Sequence, residues 1–139
     1  MSAASNYLEG KLVEHVLRGV MFNNPPAIYV ALHTAAPGET GANEVTAGAF
    51  PAYARKDAAN GAAIDTGWTP QVDGVCKNAK QLIYPVHNGA APITVTHYSL
   101  WDSATGGNCL VSAALASSRT LNVGDVFVVD VQKLTVSVL

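Results

Sequence analysis

The sequence predicts an all-β domain, a jelly-roll-like antiparallel β-sandwich preceded by one N-terminal α-helix. Three observations predict it. Residues 93–115, ITVTHYSLWDSATGGNCLVSAAL, read as a long hairpin. Its first arm alternates, with Val95, His97, Ser99 and Trp101 on one face and Thr94, Thr96, Tyr98 and Leu100 on the other. About eight short apolar runs follow the N-terminal segment, separated by turn residues at fairly regular spacing. Helical periodicity occurs once, near the start. At 139 residues the chain fits one domain, with residues 1–24 as helix and arm and 25–139 as the sandwich.

Taken in order, Ser5 or Asn6 is the expected N-cap of a helix running to about Arg18, with Gly19 as its stop. Leu8, Leu12 and Val16 share one face, widened by Val13 and Leu17. A single amphipathic helix cannot bury such a stripe alone, so it must pack on the β domain or on a neighbouring subunit. Residues 27–34, AIYVALHT, form a strand with Ile28, Val30 and Leu32 on one side and Tyr29, Ala31 and His33 on the other. Residues 35–50 form a loop longer than ordinary connections, which marks it as functional or as an arm touching a neighbour. A weak strand is expected over 53–58, then residues 62–66 and a GWTP turn. Another strand centres on Leu82, Ile83 and Tyr84, where Pro85 implies an edge or a bulge. After the hairpin, 119–125 reads as a turn. Residues 126–131 read as a strand covered on both faces. A last strand, 134–139, ties the C-terminus into a sheet.

The composition excludes several functions. Net charge is −2, from 8 Lys and Arg against 10 Asp and Glu, and no basic run marks a nucleic-acid surface. No apolar run approaches the roughly 20 residues of a membrane span. The N-terminus lacks the regions of a signal peptide, so the protein is expected to be made in the cytoplasm. Charged residues are only 13% of the chain, about half the usual globular share of ~25%. A surface that meets other protein rather than water accounts for this, and so does a compact alanine-rich domain. Cys76 and Cys109 lie in predicted strands, where buried free thiols are ordinary; a disulfide stays open.

No constellation for chemistry stands out, so no catalytic residue, metal or cofactor is expected. His15, His33, His87 and His97 lack metal-ligand spacing, although His33, His97 and Cys109 could meet in space. There is no Gly-x-Ser-x-Gly elbow, and the glycine runs do not precede a helix. Asp102 and Asp125 sit in glycine-containing turns, where local backbone bonding is their expected role. Trp68 and Trp101 could form a sugar platform, but the position of Trp101 on an alternating strand favours core or interface packing.

The segments SNYLEGKLVEHVLRG, IYVALHTAAPGETGANEV, YAR, VTHYSLWDSATGGNCLVSAAL and RTLNVGDVFVV together resemble a family of small tailed-phage virion proteins often labelled tail-fibre-like. The resemblance spans nearly the whole chain and is weakest over 57–86. It implies a structural protein of the virion. Small jelly-roll-like virion proteins commonly cement the capsid, and the low charge fits that role. The first expectation is therefore a decoration protein on the capsid exterior, bridging neighbouring copies of the major capsid protein and itself a dimer or trimer. Its expected contact residues are Leu8, Leu12 and Val16 of the helix and Pro37, Glu39, Glu44, Val45 and Phe50 of the long loop. The alternative is a tail-associated host-attachment module, with Trp68, Trp101 and the loop tips touching a surface glycan or receptor.

Overall fold

A computed structural model describes residues 2–138. Its elements run β1 (Ser2–Ala4), α1 (Asn6–Arg18), β2 (Tyr29–His33), β3 (Lys56–Asp57), a 3-10 turn (Ile64–Gly67), β4 (Cys76–Lys77), β5 (Leu82–Val86), β6 (Ile93–Trp101), β7 (Cys109–Leu121), β8 (Val126–Val129) and β9 (Thr135–Val136). The main sheet has the order β1-β7-β6-β2-β3, and β4–β9 and β5–β8 form two separate ribbons. Every pairing is antiparallel. The expected all-β, sandwich-like architecture with one N-terminal helix is what the chain adopts. Its strands divide unevenly, into one five-stranded sheet and two ribbons.

The core lies between the sheet and the ribbons. Val30, Leu32, Val95, Tyr98, Leu100 and Val111 from the sheet meet Leu82, Tyr84, Phe127, Val129 and Leu134 from the opposite layer. Two tyrosines tie the layers together: the Tyr84 hydroxyl donates to the Val30 carbonyl at 2.8 Å, and that of Tyr98 to the Thr135 carbonyl at 2.9 Å. Asn78, fully buried, joins the ribbons. Its Oδ1 accepts from the Leu134 amide, and its Nδ2 donates to the Lys80 and Asp130 carbonyls. A buried amide is tolerated only when its donors and acceptors find such partners.

The helix follows its local signals. Ser5 Oγ accepts from the Leu8 amide and donates to the Cys109 carbonyl, so the cap also fastens the helix to β7. Gly19 takes φ 68°, and the amides of Gly19 and Val20 reach back to His15 and Glu14, a Schellman ending. Only the first turns of the apolar stripe are covered. Leu8 is buried, Leu12 is half-buried, and Val16 is exposed. The three residues before the helix add a strand that has no periodicity of its own. Ser2 pairs with Ala113 and Ala4 with Val111, along an edge that β7 offers.

The hairpin departs from simple alternation at two places. Val95 faces Arg119 but His97 faces Ala114, so β7 holds extra residues there; a second irregularity lies between Leu100 and Trp101. Val95 packs in the same cluster as Tyr98 and Leu100 rather than with Trp101. The hairpin's second arm continues to Leu121, beyond the expected end at 115. The bulge expected from Pro85 is present between Ile83 and Val86.

Three other expectations are corrected. The strand expected over 53–58 is reduced to Lys56–Asp57. β8 is not covered on both faces: Phe127 and Val129 are buried in the core, while Val126 on the other face is exposed, because only the Phe127 face turns toward the main sheet. The last strand spans Thr135–Val136, and the end expected at residue 139 lies outside the described residues.

Candidate functional site at the loop end of the sheet

The loop 34–50 leaves β2 at His33, opposite His97, and folds back until Gly41 lies against Trp101 beside the hairpin turn 102–108, and one arginine joins loop and turn there. Arg55 Nε and Nη2 donate to the two Glu44 carboxylate oxygens, each at 2.9 Å. Its Nη1 donates to the carbonyls of Ser103 at 3.0 Å and Gly106 at 2.8 Å. Its guanidinium lies 3.7 Å from the centre of the Trp101 ring. A planar fork that pairs bidentately and stacks at once is a geometry only arginine offers. Tyr53 completes the cluster: its hydroxyl donates to Glu44 at 2.8 Å and accepts from the Leu32 amide.

Behind this layer sits a buried relay. The Trp101 indole N–H donates to Ser99 Oγ at 2.7 Å, and Ser99 Oγ lies 2.6 Å from His33 Nε2. His33 Nδ1 is 2.8 Å from the Ala42 carbonyl, which can only accept. The proton therefore sits on Nδ1, and neutral Nε2 accepts from the serine. Burial holds the His33 pKa below its ordinary value, against the opposing pull of the Ala42 carbonyl and Glu44. Burial by itself would raise the Glu44 carboxyl, but the Arg55 and Tyr53 hydrogen bonds outweigh it and keep the pKa low. The same burial pushes the Tyr53 hydroxyl well above its usual value and the Cys109 thiol up to about 11.

The loop is folded onto the body rather than extended as an arm. The Thr34 amide donates to Asn43, Ala42 to Pro37, and Val45 to Leu32. Glu39 accepts from the Asn6 amide at 2.7 Å, placing a carboxylate at the helix N-terminus, where the helix dipole favours it. Gly41 takes φ 74° against the Trp101 ring, and any Cβ there would overlap that ring. Asp102 accepts from the Asn108 amide and side chain, the turn role expected of it. Asp125 does the same with the Asn122 amide. Between the clamped loops a groove of about 320 Å³ opens to solvent, lined by Glu44, Val45, Tyr53, Arg55 and Thr105 among others.

The residues expected at a contact surface divide into two sets. Leu8, Pro37, Val45 and Phe50 are buried within the chain itself, and Glu44 is half-buried in its ion pair. Leu12 is half-buried, while Val16 and Glu39 stand at the surface. Trp101 is buried under Arg55 and so offers no open ring to a sugar; Trp68 is half-buried against the core. Ser99 with His33 has the spacing of a serine–base pair, but both are completely buried, and the third partner is a carbonyl rather than a carboxylate. His97 stands opposite His33 in the ladder, yet no group of three or more His, Cys, Asp or Glu gathers as a metal site among the described residues. Cys76 and Cys109 are both free thiols.

Sequence reasoning missed Arg55 as the joint of the site. A signal was nevertheless present, because the segments that carry the family resemblance supply the cluster: Tyr53 and Arg55 of YAR, Glu44 of NEV, and Ser99 and Trp101 of SLW. A family model described as Podophage GP4 fiber I protein gp80 matches residues 3–137. The chain belongs to this family. It is thereby a phage virion protein of the tail-fibre-like kind. No curated protein matches it. In this gp80 family member the matched span takes in the helix, both clamped loops and the two ribbons. Among the described residues no helix is long and apolar enough to cross a membrane.

Proposed function

We propose that the chain is a structural module of a tail-associated fibre, and that its clamped loop end is the surface it presents to a host receptor or to the next fibre component. The family match over residues 3–137 carries this reading, because its description names a fibre protein. The construction of the site supports it. The Arg55–Glu44–Tyr53 cluster holds two loops in one geometry, and preorganised loops lose less conformational entropy when they bind. The contact groups would be the groove-lining Thr105, the exposed side of Glu44 and the exposed loop backbone, with Arg55 holding them in place. Trp101 stays beneath them as a support. Its role is binding rather than catalysis, since the nearest approach to a nucleophile, Ser99, is closed from solvent.

Capsid cementing, with the major capsid protein as partner, is the second reading. The charged fraction of 13% and the exposed apolar half of α1 favour it. Electron microscopy of particles labelled with an antibody fragment against this chain separates the two. Label on the tail is the expected result. Label spread over the capsid faces, together with loss of heat resistance in particles lacking the chain, would overturn it in favour of cementing.

A further inference from the structure

A slot runs between the second half of β7 and the ribbon that holds β8. β1 occupies the edge of β7 away from β6 only at Val111–Ala113. From Ala114 onward no strand pairs with that edge among the described residues. Residues 115–118 of β7 stand against a single residue of β6, Thr96, so the strand bulges there. On the other wall β8 pairs only with β5, and its Val128 carbonyl accepts from Arg119 Nη1 at 2.9 Å. The slot consists of two adjoining hollows of about 120 and 200 Å³. Leu115, Phe127, Val129 and Leu134 give it an apolar floor, and Arg119 and Lys133 stand exposed at its rim. Arg119 is held over the slot, 5.4 Å from the centre of the Phe127 ring. No Asp or Glu lines either hollow, and neither cation belongs to an ion pair among the described residues. An open strand edge, an apolar floor and two unmatched cations thus meet in one place.

We propose that this slot takes an extended segment of a different protein, alternating apolar and acidic residues, which adds as a strand to the open edge of β7. Successive side chains of an extended segment point to opposite sides. Its apolar residues therefore enter the floor while its carboxylates stay at the rim, beside Arg119 and Lys133. Main-chain hydrogen bonds to the edge supply affinity, and the floor and the two cations select the segment. The same cations turn away a second copy of this edge, because like charges would then face each other. An acidic sugar fits less well. The aromatic rings that line the slot, Tyr98 and Phe127, are 3 and 2% exposed and offer no face for a sugar ring to stack on. The slot lies at the end of β7 away from the hairpin turn 102–108, so the proposal does not depend on what the loop end binds.

The test titrates the full chain, up to about 1 mM, into fluorescently labelled peptides of sequence VEVEVEV and VKVKVKV, read by anisotropy. The acidic peptide should bind at least about tenfold tighter than the basic one. Lys133→Glu should weaken the acidic peptide about tenfold, and Arg119→Glu with Lys133→Glu should reverse the preference, both with an unchanged circular dichroism spectrum. Lys133→Glu alone serves if the double variant unfolds, because Lys133 makes no side-chain hydrogen bond or ion pair among the described residues. Strand addition is read from the peptide backbone. Methylating the Val nitrogens of VEVEVEV blocks one edge of the probe, and methylating the Glu nitrogens blocks the other. One modification should abolish binding, and the other should leave it within about threefold. No saturable binding of VEVEVEV, equal binding of VKVKVKV, or equal effects of the two methylations overturns the proposal. Binding of polygalacturonate that Lys133→Glu removes, without binding of VEVEVEV, overturns it in favour of an acidic glycan.

Discussion

The loop end of the sheet and the outer half of α1 solve opposite problems. At the loop end, polar and charged groups are drawn inward and each is matched. Arg55 makes four hydrogen bonds, to Glu44 and to the Ser103 and Gly106 carbonyls. No buried side-chain nitrogen or oxygen among the described residues is left without a partner. On α1, apolar groups are turned outward and the described chain covers none of Val13, Val16 or Leu17. The first region is complete within one chain. The second leaves its apolar side chains exposed to solvent. A long loop that reads in sequence as an arm touching a neighbour can thus be bonded to its own body, and a helix with a continuous apolar stripe can have half of it exposed.

The largest expected effect comes from breaking the clamp. Arg55→Ala removes the ion pair, two carbonyl bonds and the cover over Trp101, and it strands a half-buried Glu44. A loss of about 3–5 kcal/mol is expected from urea unfolding, the range for breaking one side of a buried pair. A loss under about 1 kcal/mol would mean that the loops hold without it. Gly41→Ala comes next, because it forces a Cβ against Trp101 at a positive φ. Overpacking of this kind should cost about 1–3 kcal/mol, with a matching change in tryptophan fluorescence.

The helix itself sharpens the contrast. Leu8→Ala, at the docked end, should cost about 2–3 kcal/mol. Val16→Ser, two turns further on, should leave the stability of the single chain within about 0.5 kcal/mol. Equal losses at both positions would show that the outer half is packed after all.

The smallest effect is a pH dependence located at the loop end. Burial depresses the folded-state pKa of His33 below its ordinary 6.5. The unfolded chain therefore binds the proton first as the pH drops. The stability contributed by neutral His33 is full above about pH 6.5 and is lost as the pH falls from there through the folded-state value. Glu44, also depressed, adds a similar loss in more acidic solution. Unfolding midpoints measured across this window should decline in the native chain and decline less in His33→Gln. Equal slopes would remove His33 as the cause.

Much of the fold was legible because its signals are local. Ser5 and Gly19 cap a helix with their own conformational preferences, and the alternation of AIYVALHT lies within a single short strand. Asp102 and Asp125 bond their own turns, and Pro85 disrupts its own ladder. The site was not legible, because it is made of residues with different local fates. Arg55 lies beside a two-residue strand, Glu44 at the end of a loop, and Trp101 at the end of the hairpin's first arm. Nothing in the spacing of Arg55 and Trp101 announces that they stack.

By itself the sequence determined the secondary structure that depends on neighbours within a few residues: the helix and its caps, the alternating strands, the turns and the all-β class. Its motifs also determined the family. Only the tertiary structure decided which apolar residues are covered, because burial depends on surfaces brought in from far along the chain. Ser5 reaches Cys109, and Ser2 reaches Ser137, across more than a hundred residues. Those contacts turn Ser2–Ala4 into a strand, draw Leu8 into the core and leave Val16 outside. For the same reason only the fold could show that the long loop is held in place by an arginine, rather than left free as an arm.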